Sequence, residues 1–491
     1  MHRFVPLLAI LALSCGPTAR PDFVVHLVNA SNNNPFNQCN SGTVRVDVQQ
    51  STNAPLTSNA NITSMGTISS LAVGIPSYGL TTQIEVTVSC VTSTRGTITL
   101  IGATPHFIPV GYGFVDIVLG EPQSCELLLP SPTLVRPRVG PHLVALHANL
   151  IALGGLDDNT SPALRVQVLD PVTLTFNTAT NEFPALTVGI GLGEAVPLGN
   201  SMIVFASDTL SGVFDASAGA TTRVLTPNGG IHAGAGSAAV VGLIGSGAAV
   251  IGGAVGADAV DTITWISADG ATSVMTHLVR ARRHPTAALV GPSRLLVIGG
   301  QAAGEELFEL VPFNQDSAMA FGPTNELRFA PVVATDASRT HAFVAFGTDA
   351  VDGGAVVTST WALSNCGSTH CDYAPGTPTS DPRSDVAVVA HTAGAVGAST
   401  PTDSYETLVI GGFVAGAASG PSTLIDRIRI ESDGTVTTTP FGNLTTPRTS
   451  AGATDIGGGI VIVGGGIDDH TNVLASLEIC FPAALRPIGP E

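Results

Sequence analysis

Between Val44 and Gln49 apolar and polar positions alternate one for one, with Val44, Val46 and Val48 set against Arg45, Asp47 and Gln49. Ile84, Val86, Val88 and Cys90 alternate in the same way with Gln83, Glu85, Thr87 and Ser89. A period of two sends successive side chains to opposite faces, so each run predicts a strand with one dry and one wet face. Further strands are predicted over Val24–Val28, Gly96–Ile101 and Phe114–Leu119. Roughly seven short strands in a region of about 100 residues suggest a small, immunoglobulin-like β-sandwich over residues 23–123.

Beyond that region the pattern changes from alternation to repetition. Short apolar runs end on paired glycines: Gly154-Gly155, Gly252-Gly253, Gly299-Gly300, Gly411-Gly412 and Gly464-Gly465. A degraded copy ends on Phe346-Gly347. Gly252 to Gly299 is 47 residues (299 − 252), and Gly154 to Gly252 is 98, or two periods. A copy without glycines is therefore expected halfway, at Ser201–Ser207, which makes seven units. The interval from Gly347 to Gly411 is stretched by the Gly/Ala/Thr/Pro-rich insertion His391–Ser404. Arg138, Arg282, Arg328 and Arg448 stand 16 to 18 residues ahead of the glycine position, and the insertion separates Arg383 further from its own. Arg138, Arg383 and Arg448 follow proline.

Composition narrows the class. Of 491 residues 44% are apolar and only 11% charged, which excludes an acidic disordered chain. No long period of 3.6 stands out, so the chain reads as all-β. The net charge is −18, and all 19 cationic residues are arginine. Such a surface offers nucleic acid no basic footprint, so no nucleic-acid partner is expected. The acidity itself is read as solubility.

The first residues read as an address. Met1–Arg3 is basic and Phe4–Leu13 apolar, and ten residues are too few to cross a bilayer. A secretory signal over residues 1–14 is expected. Ala12-Leu13-Ser14-Cys15 resembles a bacterial lipobox, which implies that Cys15 carries a lipid and anchors the chain to a membrane through a linker, residues 15–22. Gly16, where an aspartate would favour inner-membrane retention, leans towards an outer-membrane lipoprotein. The other reading is ordinary signal cleavage beside an incidental cysteine. Six cysteines remain, with no CxxC pair or zinc-finger spacing, so three disulfides in an exported chain are expected. Cys39 and Cys90 pair within the sandwich.

The proline-arginine entries, the strands ending on Gly-Gly and the turn Leu169-Asp170-Pro171 followed by Phe176 resemble the kelch family of β-propellers. The resemblance covers residues 124–482, leaving 483–491 as a tail. Leu169 stands for the family's tyrosine and Phe176 for its tryptophan, while Trp265 and Trp361 are the chain's only tryptophans, so packing between blades is expected to be aliphatic. The family implies a seven-bladed propeller. Glycine at strand ends permits close approach and positive φ, and arginine, with five donors, can tie loop carbonyls together. A ring needs a clasp, or its end strands stay unpaired. Cys125–Pro130 has the character of the last unit's missing fourth strand, beside Ser476–Cys480, with a Cys125–Cys480 bond. Cys366 and Cys371, flanking the turn GSTH, form the remaining pair.

Candidate chemistry is sparse. Two loops after glycine pairs, Asp157-Asp158-Asn159 and Asp468-Asp469-His470, belong to the first and seventh units. Carboxylates there suit a hard cation such as calcium, though Asp and Asn are also ordinary turn residues. His142, His147, His232, His277 and His284 are scattered, and no GxSxG, HExxH or P-loop occurs. Some kelch propellers are copper enzymes with tyrosine ligands, but only Tyr373 and Tyr405 lie in this region, so no cofactor is expected. Sialic-acid mutarotases also use the fold. The expected function is a lipid-anchored envelope scaffold binding protein or glycan without catalysis. The alternative is a mutarotase-like carbohydrate enzyme working at the channel mouth, and a purely structural envelope component is a third possibility. Arg280, Arg283 and His284 are left over as local specialisation.

Overall fold

The computed structural model describes residues 23–485 apart from interruptions, the longest of them 30–37, 63–70, 177–185, 225–237 and 392–404. The expected signal, Cys15 and its linker, His147, Asn159, His232, nearly all of the His391–Ser404 insertion and most of the tail lie outside the described residues. The described residues form many small, mainly antiparallel sheets and contain no helix.

The first sheets follow the alternation. Cys39–Gln50 lies between Asn53–Ile62 and Thr82–Thr92, and Gly96–Ala103 adds to the far side of Thr82–Thr92. A second sheet holds Phe23–Asn29 between Leu71–Val73 and Gly113–Leu119, the latter pair parallel. Val44, Val46, Val48, Ile84, Val86 and Val88 share one core with Val25, Val73, Val115 and Ile117 of that sheet. The Cys39–Cys90 disulfide is buried in it.

The wet face departs from expectation, because Gln83 and Glu85 are buried at 0% and 8% exposure. Their end of the strand meets the turn Gly457–Gly459 of the last unit, where a Cβ on Gly457 would lie 2.8 Å from Gln83 Nε2. Beside it Ile101, Ala103 and Val118 pack with Ile456, Ile460 and Phe481. A face that is wet in an isolated sandwich is dry where another sheet covers it.

The repeats form successive sheets of similar plan. In the fourth unit Thr286–Val290, Arg294–Ile298, Phe308–Pro312 and Met319–Phe321 pair in sequence order. In the second, Met202–Ser207 takes the second place in its sheet, where the missing copy was expected. The first strands pack side by side from the first sheet to the fifth and from the sixth to the seventh, Val332–Thr335 of the fifth packs against Tyr405–Ile410 of the sixth, and Gly452–Gly457 of the seventh packs against His142–Leu146 of the first. Cys125–Leu127 pairs antiparallel with Leu477–Cys480, setting Cys125 opposite Cys480, and the two are joined by a disulfide. Cys366 and Cys371 form the third.

Two expectations need correction. The seventh glycine pair is Gly465-Gly466, with φ of 66° and 93°, matching 74° and 72° at Gly299-Gly300. Gly464 is the last residue of its strand, so three consecutive glycines shift the register by one from Gly464-Gly465. Packing is also not purely aliphatic. Phe308 meets Phe321, Trp361 and Tyr373 at centroid distances of 5.4, 6.4 and 5.9 Å across the fourth and fifth units, and Trp265 meets Phe313. Single aromatics scattered in sequence converge here at the same seam.

Candidate functional site

Each repeat arginine is wholly buried. Arg282 donates from Nη1 to the Gly299 carbonyl at 2.7 Å, from Nη2 to Glu306 O at 2.8 Å and from Nε to Glu309 at 2.8 Å. The plan repeats: Arg138 reaches Gly154 O and Asp157, Arg328 reaches Phe346 O and Glu326, Arg383 reaches Gly411 O and Asp426, and Arg448 reaches Gly465 O and Glu478. Burial pulls the Arg282, Arg328, Arg383 and Arg448 guanidiniums down, and the neighbouring carboxylates push back.

The same arginines serve the preceding unit through their backbone. The carbonyls of Arg282, Arg328, Arg448 and Arg138 accept from Gly253, Gly300, Gly412 and Gly466 at 2.8, 2.7, 2.9 and 2.7 Å. These four arginines thus fasten their own glycine turn by side chain and their neighbour's by main chain. Arg383 instead lies over the Phe346 ring, 5.8 Å from the centroid, because phenylalanine (φ 60°) has replaced the first glycine.

Sequence reasoning missed the residue two places after each arginine. Gly140, His284, Ala330, Asp385 and Ser450 all have φ between 47° and 56°. They bond to one another: Gly140 N to Ser450 O at 2.6 Å, Ser450 N to Asp385 O at 3.0 Å, and Ala330 N to His284 O at 2.9 Å. Only the fixed offset from arginine signals them, since the five side chains differ. His284 is therefore part of the repeat plan.

The acidic loops do different things. Asp157 is engaged with Arg138, while Asp158 is exposed. Asp468 closes its own turn, accepting from the His470 and Asn472 amides at 2.9 and 2.7 Å and from Asn472 Nδ2 at 3.0 Å; desolvation raises its carboxyl, and these bonds together outweigh it and hold the group below the usual range. Asp468, Asp469 and His470 have ligand atoms within 4.8 Å of one another, the one such group among the described residues. Asp336, Ser338 and His341 resemble a triad only in composition. The Ser338 hydroxyl donates to Asp336, and the Asp336 carboxylate lies 3.3 Å from His341 Nδ1. A nucleophile would have to lie on the other ring nitrogen.

The first strands of the sheets enclose two adjoining cavities of about 440 and 330 Å³ that share Glu194, Val240, Val386 and Val388. The wall is mostly Ala and Val. Glu194 accepts from Val240 N at 2.8 Å, and burial pushes its carboxyl up to about 7 despite that bond. His142, in the smaller cavity, is pushed down to about 4 by burial, against its contact with Gly191 O at 3.2 Å. Burial also raises Asp385, opposed by the Ser384 hydroxyl. Arg339 and Thr407 complete the polar lining of the larger cavity together with Thr286 and Thr335.

No family model and no curated protein matches the chain. Among solved structures it is similar to "Structure of YjhT", at 10% identity and a TM-score of 0.39, over 71% of this chain and 96% of that one. The three disulfides are consistent with an exported, non-cytoplasmic protein.

Proposed function

We propose that this is a lipid-anchored cell-envelope protein in which a seven-bladed, kelch-like propeller, residues 124–482, acts as a non-catalytic scaffold for a protein or glycan partner. The immunoglobulin-like sandwich, residues 23–123, then stands between the propeller and an outer-membrane anchor at Cys15. The observation that carries this reading is the occupation of the arginines. All five are buried and committed to glycine-turn carbonyls and carboxylates, which leaves none of them for a substrate. Recognition then falls to the variable loops at the two ends of the ring. The test is a glycan array and a surface-protein panel, run beside a panel of sugar substrates. Binding without turnover supports the scaffold. Turnover that disappears in Glu194→Gln overturns it.

A second reading rests on Glu194. A carboxyl titrating at about 7 on a channel wall suits general acid–base work near neutral pH, as in a mutarotase-like carbohydrate enzyme. The same substrate panel decides between the two.

A further inference from the structure

The larger cavity is lined by ionisable groups of both signs with no opposite charge beside them. Glu194 and Asp385 line it, and no cationic side chain contributes to the environment of either. Arg339 also lines it, and among the described residues no carboxylate forms an ion pair with its side chain. Thr407 is 1% exposed, and its hydroxyl has no partner among the described residues. The remaining wall is small and apolar, including Ala288, Val332 and Val388.

The charges sit at opposite ends. Asp385 belongs to the set of bonded residues that precede the first strands, and Glu194 is the second residue of its strand. Arg339 lies in the turn that follows the strand Val332–Thr335. Four strand residues separate the level of Asp385 from that of Arg339, about 13 Å at ~3.3 Å per residue, and Glu194 lies within that span near the Asp385 end. An uncompensated charge in a low-dielectric channel attracts an opposite one strongly, and a cavity of this size lies within the range for small ligands.

We propose that this channel holds an extended zwitterionic ligand of short-peptide class, its ammonium at Glu194 and Asp385, its carboxylate at Arg339 and small apolar side chains along the wall. Peptide groups along its length supply hydrogen-bond partners of the kind Thr407 lacks. The site is separate from the outer loops, so its failure leaves loop-mediated binding untouched and still readable on the array.

The probe is trialanine, titrated calorimetrically into the intact protein beside its N-acetyl and C-terminal amide forms. The expected result is saturable binding of trialanine, weakened about ten-fold or more by either block. Glu194→Gln should weaken trialanine and leave the acetylated form unchanged, and Arg339→Gln should do the converse with the amide. Absence of heat up to millimolar trialanine, or equal affinity for all three peptides, overturns the proposal. The blocked peptides keep the test valid where a variant fails to fold.

Discussion

The fourth and second units solve one structural problem by different chemistry. In the fourth, a wholly buried Arg282–Glu309 ion pair holds the glycine turn, with the Glu309 carboxylate also accepting the Val279 and Arg280 amides at 2.8 and 3.1 Å. The second has no arginine at the repeat position, where Gly189 to Gly191 stand. There hydroxyls stand in: Gly191 N donates to Thr209 Oγ1 at 3.0 Å, and that hydroxyl donates to Gly189 O at 2.6 Å. Buried charge is expensive to desolvate and rests on complete pairing, whereas neutral hydrogen bonds contribute modestly and fail modestly. The contrast teaches that the arginine repeat makes its own turns depend strongly on one residue, and that the fold tolerates its absence.

Four perturbations sharpen that contrast. The largest is the clasp. Cys125 and Cys480 are 355 residues apart and Cys366 and Cys371 only 5, so on the chain-entropy model serine at the first pair costs about 6 kcal/mol and at the second about 2 kcal/mol. Denaturant melts of the two double variants compare them directly. Next, Arg282→Met should cost about 3–5 kcal/mol because it strands Glu309, while Thr209→Val should cost about 1 kcal/mol. Equal losses would erase the distinction between the units.

Third comes a carboxyl whose burial its Gln49 hydrogen bond and the Arg45 charge only partly offset. Burial first, and the Asp47 charge second, push Glu85 up from 4.5 to about 7. A carboxyl raised on folding contributes stability that is full below about 4.5 and is lost as pH rises through about 7. The loss should be roughly 2–3 kcal/mol, read as a melting temperature falling between pH 5 and 8 and flattened by Glu85→Gln. Smallest is Gly252→Ala. Its φ is 62° and the new Cβ would lie 2.8 Å from the Arg282 carbonyl, so a loss of about 1–2 kcal/mol is expected in the same melts.

The two architectures were legible for different reasons. Val44 to Val48 and Ile84 to Val88 announced a two-faced sheet because strand period and burial coincide there. Gly299-Gly300 and its copies announced the repeats because a left-handed turn restricts residue type. The Cys125–Cys480 bond followed from a missing edge strand. Gln83 and Glu85 misled because what covers them lies some 370 residues away in sequence, at Gly457–Gly459, and local pattern cannot register it (457 − 85 = 372). Gly464 misled because three identical residues hide the register. The bonded set Gly140, His284, Ala330, Asp385 and Ser450 was hidden because main-chain groups make it. The proposed ligand site was hidden too, since Glu194, Arg339 and Thr407 belong to different repeats and no spacing links them.

The most direct test of the arginine as a fastener is amide exchange across the Gly299-Gly300 turn, whose Gly299 carbonyl accepts from the Arg282 guanidinium at 2.7 Å, measured by NMR in the wild type and in Arg282→Met. The predicted result is strong protection of the Gly299 and Gly300 amides in the wild type and its loss in the variant, with the Gly191 amide of the second unit little changed. Unchanged protection across that turn, together with a loss of ligand binding or turnover in the variant, would contradict the structural role and make Arg282 a functional residue.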